Sequence, residues 1–254
     1  MTQFSANLGF LWTELPLPEA IRAAKAAGFD AVECHWPYDT PPGEVAAALE
    51  DTGLPMLGLN TRRGDVAGGE NGLTALPGRE TEARAAIDEA LAYATAIGAR
   101  AVHVMAGFDE GAEAQACFVS NLRYALPKAQ AAGAALLIEP LNPHDAPGYF
   151  LQTTEQARAI IGEVGAPNLK LMFDCYHVAR TEGDVTARLA DLLPILGHVQ
   201  FAGVPDRGAP DVGTLNYRDV FKALQTLGWT RPLGAEYRPG GPTKSSLGWM
   251  TSLV

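Results

Sequence analysis

The chain has 254 residues, of which 47% are hydrophobic and 19% charged, and acidic side chains outnumber basic ones 29 to 19 for a net charge of −10. That composition supports a large core and excludes a disordered chain. The excess of acid disfavours work on phosphate backbones, so no nucleic-acid partner is expected. The opening MTQFSANLGFLW lacks a basic region followed by a long apolar stretch, and no apolar run approaches the roughly 18 residues of a membrane span, so neither export nor a membrane partner is expected. Cys34, Cys117 and Cys175 are too scattered for a disulfide framework and form no Cys-x-x-Cys, which fits a reducing cytoplasm.

In chain order, short β-rich runs alternate with Ala-rich stretches of helical period. The expected strands are FSANLG (4–9), DAVEC (30–34), PMLGLN (55–60), RAVHVM (100–105), ALLIEP (135–140), LKLMFD (169–174), GHVQFA (197–202) and PLGAEY (232–237). Helical patterns such as PEAIRAAKAAG, TEARAAIDEALAYATAIGA, QACFVSNLRYALPKAQAAG and TTEQARAIIGEVG lie between them. Gly28, Gly98, Gly133, Gly165 and Gly228 stand where a helix C-terminus wants a left-handed residue. Eight βα units without a break in composition predict an α/β fold, a single (β/α)8 TIM barrel over residues 1–254; an open doubly wound sheet is the runner-up. GGENG and GFDEG lack the spacing of a dinucleotide-binding turn and are read as loops.

In such a barrel the chemistry sits at the C-terminal ends of the strands. The last four runs close on oxygen donors: Glu139, Asp174, Gln200 and Glu236. Taken singly, a glutamate there more often pairs with a lysine or arginine, and a glutamine is usually a hydrogen-bonding filler. Taken together, three carboxylates converging on one mouth would repel unless protonated or bound to a cation. A divalent metal is therefore expected, and an all-oxygen set favours Mg2+ or Mn2+ over zinc. Cys175 follows Asp174 and faces away by strand alternation. His177 could hydrogen-bond a substrate oxygen or cap a helix, whereas His103 and His198 are assigned to packing and Glu33 to a structural ion pair. Arg207, in the loop after the seventh strand, could pair with a substrate carboxylate. Arg62, Arg63 and Arg79 flank the long loop after the third strand and could close over the site, although a solvated surface role is the first expectation for each. No lysine ends a strand, which leaves little support for a Schiff base.

GDVAGGENGLTALPGRE (64–80), IEPLNPHDAPGYFL (138–151), FDCYHVARTEGD (173–184), HVQFAGVPDRGAP (198–210) and GAEYRP (234–239) together resemble the hydroxypyruvate isomerase family of the xylose-isomerase-like barrels, with 2-oxo-tetronate isomerases and sugar epimerases close by. The resemblance covers nearly the whole chain. It implies that Glu139, Asp174, Gln200 and Glu236 are metal ligands, that Glu139 and Glu236 form the proton donor and acceptor pair, and that His177 and Arg207 touch the substrate. The implied activity is an aldose-ketose type isomerisation of a small 2-oxo acid such as hydroxypyruvate. A 2-oxo-tetronate isomerase, a ketose 3-epimerase, a metal-dependent endonuclease and a sugar-acid binding protein are the rivals, and a homo-oligomer is possible. Ala209 and Thr214 stand where relatives often carry acids.

Overall fold

The computed structural model describes residues 2–253. Eight parallel strands form one sheet: β1 (Phe4–Asn7), β2 (Ala31–Glu33), β3 (Leu59–Asn60), β4 (Ala101–His103), β5 (Ala135–Ile138), β6 (Leu169–Asp174), β7 (Leu196–Phe201) and β8 (Leu233–Ala235). Their order is β2-β1-β8-β7-β6-β5-β4-β3. The two ends of that order meet through the single bridge Val32 to Met56, reinforced by Val32 N donating to Pro55 O (3.0 Å) and Leu57 N donating to Val32 O (2.7 Å). The sheet therefore closes into the expected barrel. The third predicted run is split: residues 55–58 serve β2, and only Leu59–Asn60 form β3.

Helices α1 (Leu17–Ala26), α2 (Pro42–Thr52), α3 (Glu80–Ile97), α4 (Gly111–Ala131), α5 (Thr154–Val164), α6 (Cys175–Thr181), α7 (Val185–Leu192), α8 (Tyr217–Thr226) and α9 (Trp249–Ser252) accompany the strands. Each longer helix buries one stripe, as α8 does with Tyr217, Val220, Phe221 and Leu224. Gly98 and Gly165 end α3 and α5 with φ of 67° and 68°, the left-handed conformation that glycine adopts without a Cβ penalty.

Strand alternation sorts the side chains into two sets. Phe4, Ala6, Val32, Val102, Leu136, Ile138, Leu171, Phe173, Val199, Phe201, Leu233 and Ala235 join the core shared with the helices. The alternate residues face the barrel axis. Low on the axis, Ala101, Leu137 and Met172 form a small apolar cluster of their own. Two residues further along each of those strands come His103, Glu139 and Asp174, and the same step brings Asn7, Glu33, Gln200 and Glu236 to this level. In register, Asn7 pairs with Glu33, Asn60 with His103, and Asp174 with Gln200. One polar layer thus crowns an apolar floor, at the end of the barrel where strands deliver their C-termini.

Candidate active site

Glu139 and Glu236 lie one residue beyond β5 and β8, Asp174 ends β6, and Gln200 is one residue short of the end of β7. All four are buried, at 5% exposure or less. At Asp174 the strand turns directly into α6. Its Oδ1 caps that helix by accepting from Tyr176 N at 2.8 Å, which fixes the carboxylate and leaves Oδ2 for the mouth. His177, on α6, brings Nε2 to 3.7 Å from Asp174 Oδ2 and 3.9 Å from Glu139 Oε1. Glu139, Asp174 and His177 each place a ligand-type atom within 4.8 Å of the others.

The hydrogen bonds decide what each group can offer. His177 Nδ1 accepts from Asn142 N at 3.0 Å. A backbone amide can only donate, so Nδ1 carries no proton and the neutral ring carries it on Nε2. Burial, aided by the Arg207 charge, pushes the His177 pKa down to about 3, which keeps the ring neutral. Its Nε2–H is thus a hydrogen-bond donor aimed into the mouth, without a partner of its own. That disfavours a metal bond from this nitrogen and suits an oxygen of a bound molecule.

Gln200 is oriented by the same logic. Its Nε2 donates to Glu33 Oε1 at 2.8 Å, and His198 Nε2 donates to Glu33 Oε2 at 2.8 Å. Burial raises the Glu33 pKa, but His198 and the Gln200 amide outweigh it and hold the group below the usual carboxylate range. An ionised carboxylate has no proton to give, so Gln200 must turn its nitrogen to Glu33 and leave Oε1 unpaired. Gly234 makes room for this contact, because a Cβ there would lie 2.6 Å from Glu33 Oε1 and 2.8 Å from Gln200 Cγ. Glu33 is therefore held by a hydrogen bond to His198, and the same carboxylate also sets the aim of Gln200.

Asn7 and His35 do for Glu236 what Glu33 does for Gln200. Asn7 Oδ1 accepts from Gly9 N at 2.9 Å, which turns its Nδ2 toward Glu236 Oε1 (2.9 Å) and Glu33 Oε1 (3.1 Å). His35 Nε2 lies 2.9 Å from the same Glu236 oxygen. The His35 ring occupies space that a side chain at residue 9 would fill, since a Cβ on Gly9 would come within 2.1 Å of it.

Arg207 takes the left-handed φ of 55°, unusual for a side-chain-bearing residue, in the loop after β7. Its Nη2 pairs with Glu236 Oε2 and lies 3.4 Å from Asp174 Oδ2. The arginine assigned by sequence to a substrate carboxylate is thus already paired with two carboxylates of the protein. Burial raises the Glu236 pKa, but Arg207 and His35 more than offset it and hold the group well below the ordinary range. Glu139 is raised well above it by burial and by the negative charges of Glu236 and Asp174. The two glutamates thus hold opposite proton preferences.

The residues present fit a divalent cation. Glu139 Oε1 and Gln200 Oε1 are buried oxygens without a hydrogen-bond partner, and the guanidinium between Asp174 and Glu236 shows that the pocket accommodates positive charge. His103, assigned to packing, is an addition to the site: it is buried, its Nδ1 lies 3.7 Å from Glu139 Oε2, and neither ring nitrogen has a hydrogen-bond partner. The open space above these groups is a cavity of about 310 Å³, lined among others by Phe10, Trp36, Asn60, Arg63, Asn71 and Arg238. Arg63 is the one of the three arginines around the loop after β3 that closes over the site, whereas His35 and Trp36 carry no sequence signal, because they follow β2 inside a loop whose course the alternation of residues does not fix.

A family model described as the xylose isomerase-like TIM barrel matches residues 21–253. The chain belongs to that family. It is 45% identical to the 2-oxo-tetronate isomerase of Cupriavidus necator and 37% identical to the hydroxypyruvate isomerase of Escherichia coli, with 98% of each chain covered in both cases. These relatives place it in the hydroxypyruvate isomerase group of the family. Among solved structures, one from Brucella melitensis described as an AP endonuclease, family 2, superposes with a TM-score of 0.95 at 38% identity over 99% of both chains. A 3-keto-D-glucoside 4-epimerase from Escherichia coli follows at 0.80 and 23% identity, again over 99% of both, and shares the fold.

Proposed function

We propose that the protein is a metal-assisted isomerase of a small 2-oxo acid, with hydroxypyruvate to tartronate semialdehyde as the leading reaction and a 2-oxo-tetronate as the alternative substrate. The observation that carries this reading is the buried polar layer in which Glu139 lies with Asp174 and His177, Asp174 pairs in register with Gln200, and Glu139 Oε1 and Gln200 Oε1 lack hydrogen-bond partners. The names borne by relatives at 37–45% identity point the same way. Glu139, Asp174, Gln200 and Glu236 would hold one divalent ion, Mg2+ or Mn2+ by its all-oxygen donors. When bound, that ion supplies charge stabilisation to the oxygens of the reacting carbons.

The remaining work falls to the chain itself. One of Glu139 and Glu236 removes the proton from C3 of hydroxypyruvate, and the pair returns a proton to C2, while the C3 hydroxyl proton moves to the C2 oxygen. His177, with its proton fixed on Nε2, donates a hydrogen bond to an oxygen of the enediolate, and Arg207 adds positive charge on the same side. His103 neighbours Glu139 and helps to exclude water from it. The protein acts as one barrel domain over residues 1–254 and as a cytoplasmic enzyme; its three cysteines are all free and buried, and none of its described helices is long and apolar enough to cross a membrane. The net charge of −10 argues against the nucleic-acid substrate suggested by the name of the Brucella structure.

Purified enzyme incubated with hydroxypyruvate and with 2-oxo-tetronates in D2O tests the reading. Isomerisation of one of them is expected, with deuterium entering the product carbon to the extent that the carried proton exchanges. Conversion of free ketoses in preference to both acids would establish a 3-epimerase instead, and binding without conversion would establish a binding protein.

A further inference from the structure

Arg207 is paired with Asp174 and Glu236 in this structure, which turns attention to the other cations of the mouth as partners for a substrate carboxylate. Three arginines line the mouth: Arg63, Arg207 and Arg238. Arg62 and Arg79, on either side of the same loop, are spent on surface pairs with Glu89 and with Glu70 and Glu82. Arg63 makes no side-chain hydrogen bond or ion pair to any described residue. Its guanidinium lies 3.8 Å over the centre of the Trp36 ring, and the indole is itself held by Nε1 donating to Thr61 O at 3.1 Å.

The backbone around Arg63 is also fixed. Gly72 N donates to Arg63 O at 2.9 Å, and Gly72 bridges to Ala106 within the loop after β4. That close approach requires glycine, because a Cβ on Gly72 would lie 2.6 Å from Gly107 N and 2.7 Å from Met105 O. The GDVAGGENG stretch therefore clamps Arg63 in place. Trp36 follows His35, whose Nε2 touches Glu236, so the guanidinium stands on the wall of the mouth adjoining the proposed proton-transfer pair. A half-buried arginine stacked on an aromatic ring with its donors unused is built to meet a planar anion, and a carboxylate fits the fork bidentately. Burial lowers its pKa and no protein carboxylate offsets that, which leaves the counter-charge to the ligand. Arg238 is exposed on the rim and lacks such a platform.

We propose that Arg63 is the receptor for the substrate carboxylate and hence the residue that selects oxo acids over uncharged ketoses, a role that rests on the isomerase reading above. The test compares hydroxypyruvate with dihydroxyacetone, which has the same carbons but CH2OH in place of the carboxylate, in wild type, Arg63→Gln, Arg63→Lys and Arg238→Gln. A hydrogen bond to a charged group is worth about 1.5 to 3 kcal/mol, so Arg63→Gln should raise the KM for hydroxypyruvate by about tenfold or more. Its kcat should stay within about threefold, since the interaction is made before and during the reaction alike. Arg63→Lys should recover part of the loss, keeping the charge without the fork. Arg238→Gln should behave as wild type, and the use or competitive binding of dihydroxyacetone should be the same in all four proteins.

An unchanged KM for hydroxypyruvate in Arg63→Gln, an equal loss on both compounds, or the effect appearing in Arg238→Gln instead would overturn the proposal. Calorimetric titration of hydroxypyruvate into wild type and Arg63→Gln separates this from the isomerase reading. Binding that weakens in the variant, in an enzyme that does not turn the acid over, would sink the isomerase reading and keep the receptor. Equal binding in both proteins would sink the receptor alone.

Discussion

The two walls of the barrel mouth are built from the same strand geometry but carry different chemistry. On the wall from β5 to β8, the polar layer is made of Glu139, Asp174, Gln200 and Glu236, and Glu139 Oε1 and Gln200 Oε1 are left buried and unpaired. On the wall from β1 to β4, Asn7, Glu33 and the loop residue His35 point at those same groups and fix them: Glu33 sets the Gln200 amide, and Asn7 with His35 holds Glu236. One wall offers donors to a ligand and the other restricts how they can turn. A site split this way is preorganised, because the cost of orienting its donors is met in folding rather than in binding.

Removing the ion strikes the first wall as a whole and should have the largest effect. Chelation is expected to abolish turnover, with Mg2+ or Mn2+ restoring it; full activity in rigorously metal-free protein would remove the oxygen cluster from the reaction altogether. Next come Glu139→Gln and Glu236→Gln, which retain an oxygen and nearly the same volume but lose the basicity. General acid-base catalysis is worth typically about 10² to 10⁴ in rate, and losses at least that large are expected in kcat from each variant while the fold survives. Near-normal turnover in a variant that folds and binds metal would reduce that glutamate to a ligand.

Glu33→Gln strikes the second wall, and its effect should be smaller and of a different kind. The carboxylate accepts from Asn7, Gln200 and His198 at once. An amide in its place brings its own donors to the same point, and Gln200 can then turn its nitrogen rather than its oxygen toward the mouth. Partners that orient a ligand typically cost about 10- to 100-fold in metal affinity when lost, so a competition titration against a metal indicator should show a drop of that order. Unaltered affinity would mean that Gln200 is not held by Glu33 in the way the hydrogen bonds suggest.

The contrast also explains how much could be read from the sequence. The barrel was legible because eight apolar runs separated by helical periods leave few other packings. The oxygen-bearing wall was legible because strand alternation places Glu139, Asp174, Gln200 and Glu236 at one level without any knowledge of the loops. His103 follows the same alternation, yet a histidine two residues above Ala101 is also a plausible filler, and only its distance to Glu139 distinguishes the two. Glu33 was seen as half of an ion pair, but its second role needs the register of β8, where Gly234 leaves the gap that lets it reach Gln200. Arg207 looked like a free cation because sequence gives no measure of how far a loop folds back, and the positive φ that turns it onto Glu236 has no signature in the DRGAP stretch. His35, Trp36 and Arg63 lie in loops, whose paths depend on long-range contacts such as that between Gly72 and Ala106.

The smallest effect is predicted for the residue next to the proposed carboxylate receptor. Arg62 and Arg63 are adjacent in sequence, and both lie over aromatic rings, Arg62 at 4.6 Å from the Tyr38 centroid and Arg63 at 3.8 Å from that of Trp36. Arg62, however, faces outward and forms a pair with Glu89 in which the side chains are 47% and 42% exposed. Exposed pairs of this kind contribute about 0 to 1 kcal/mol because water and salt screen them and two long side chains must be held still. Arg62→Ala should therefore lower stability by no more than about 1 kcal/mol in a denaturant titration, with less effect at high salt, and should leave the KM for an oxo acid unchanged. A rise in KM comparable to that of Arg63→Gln would mean that the loop after β3 acts through its total charge, and the distinction between a solvated arginine and one clamped in the mouth would lose its force.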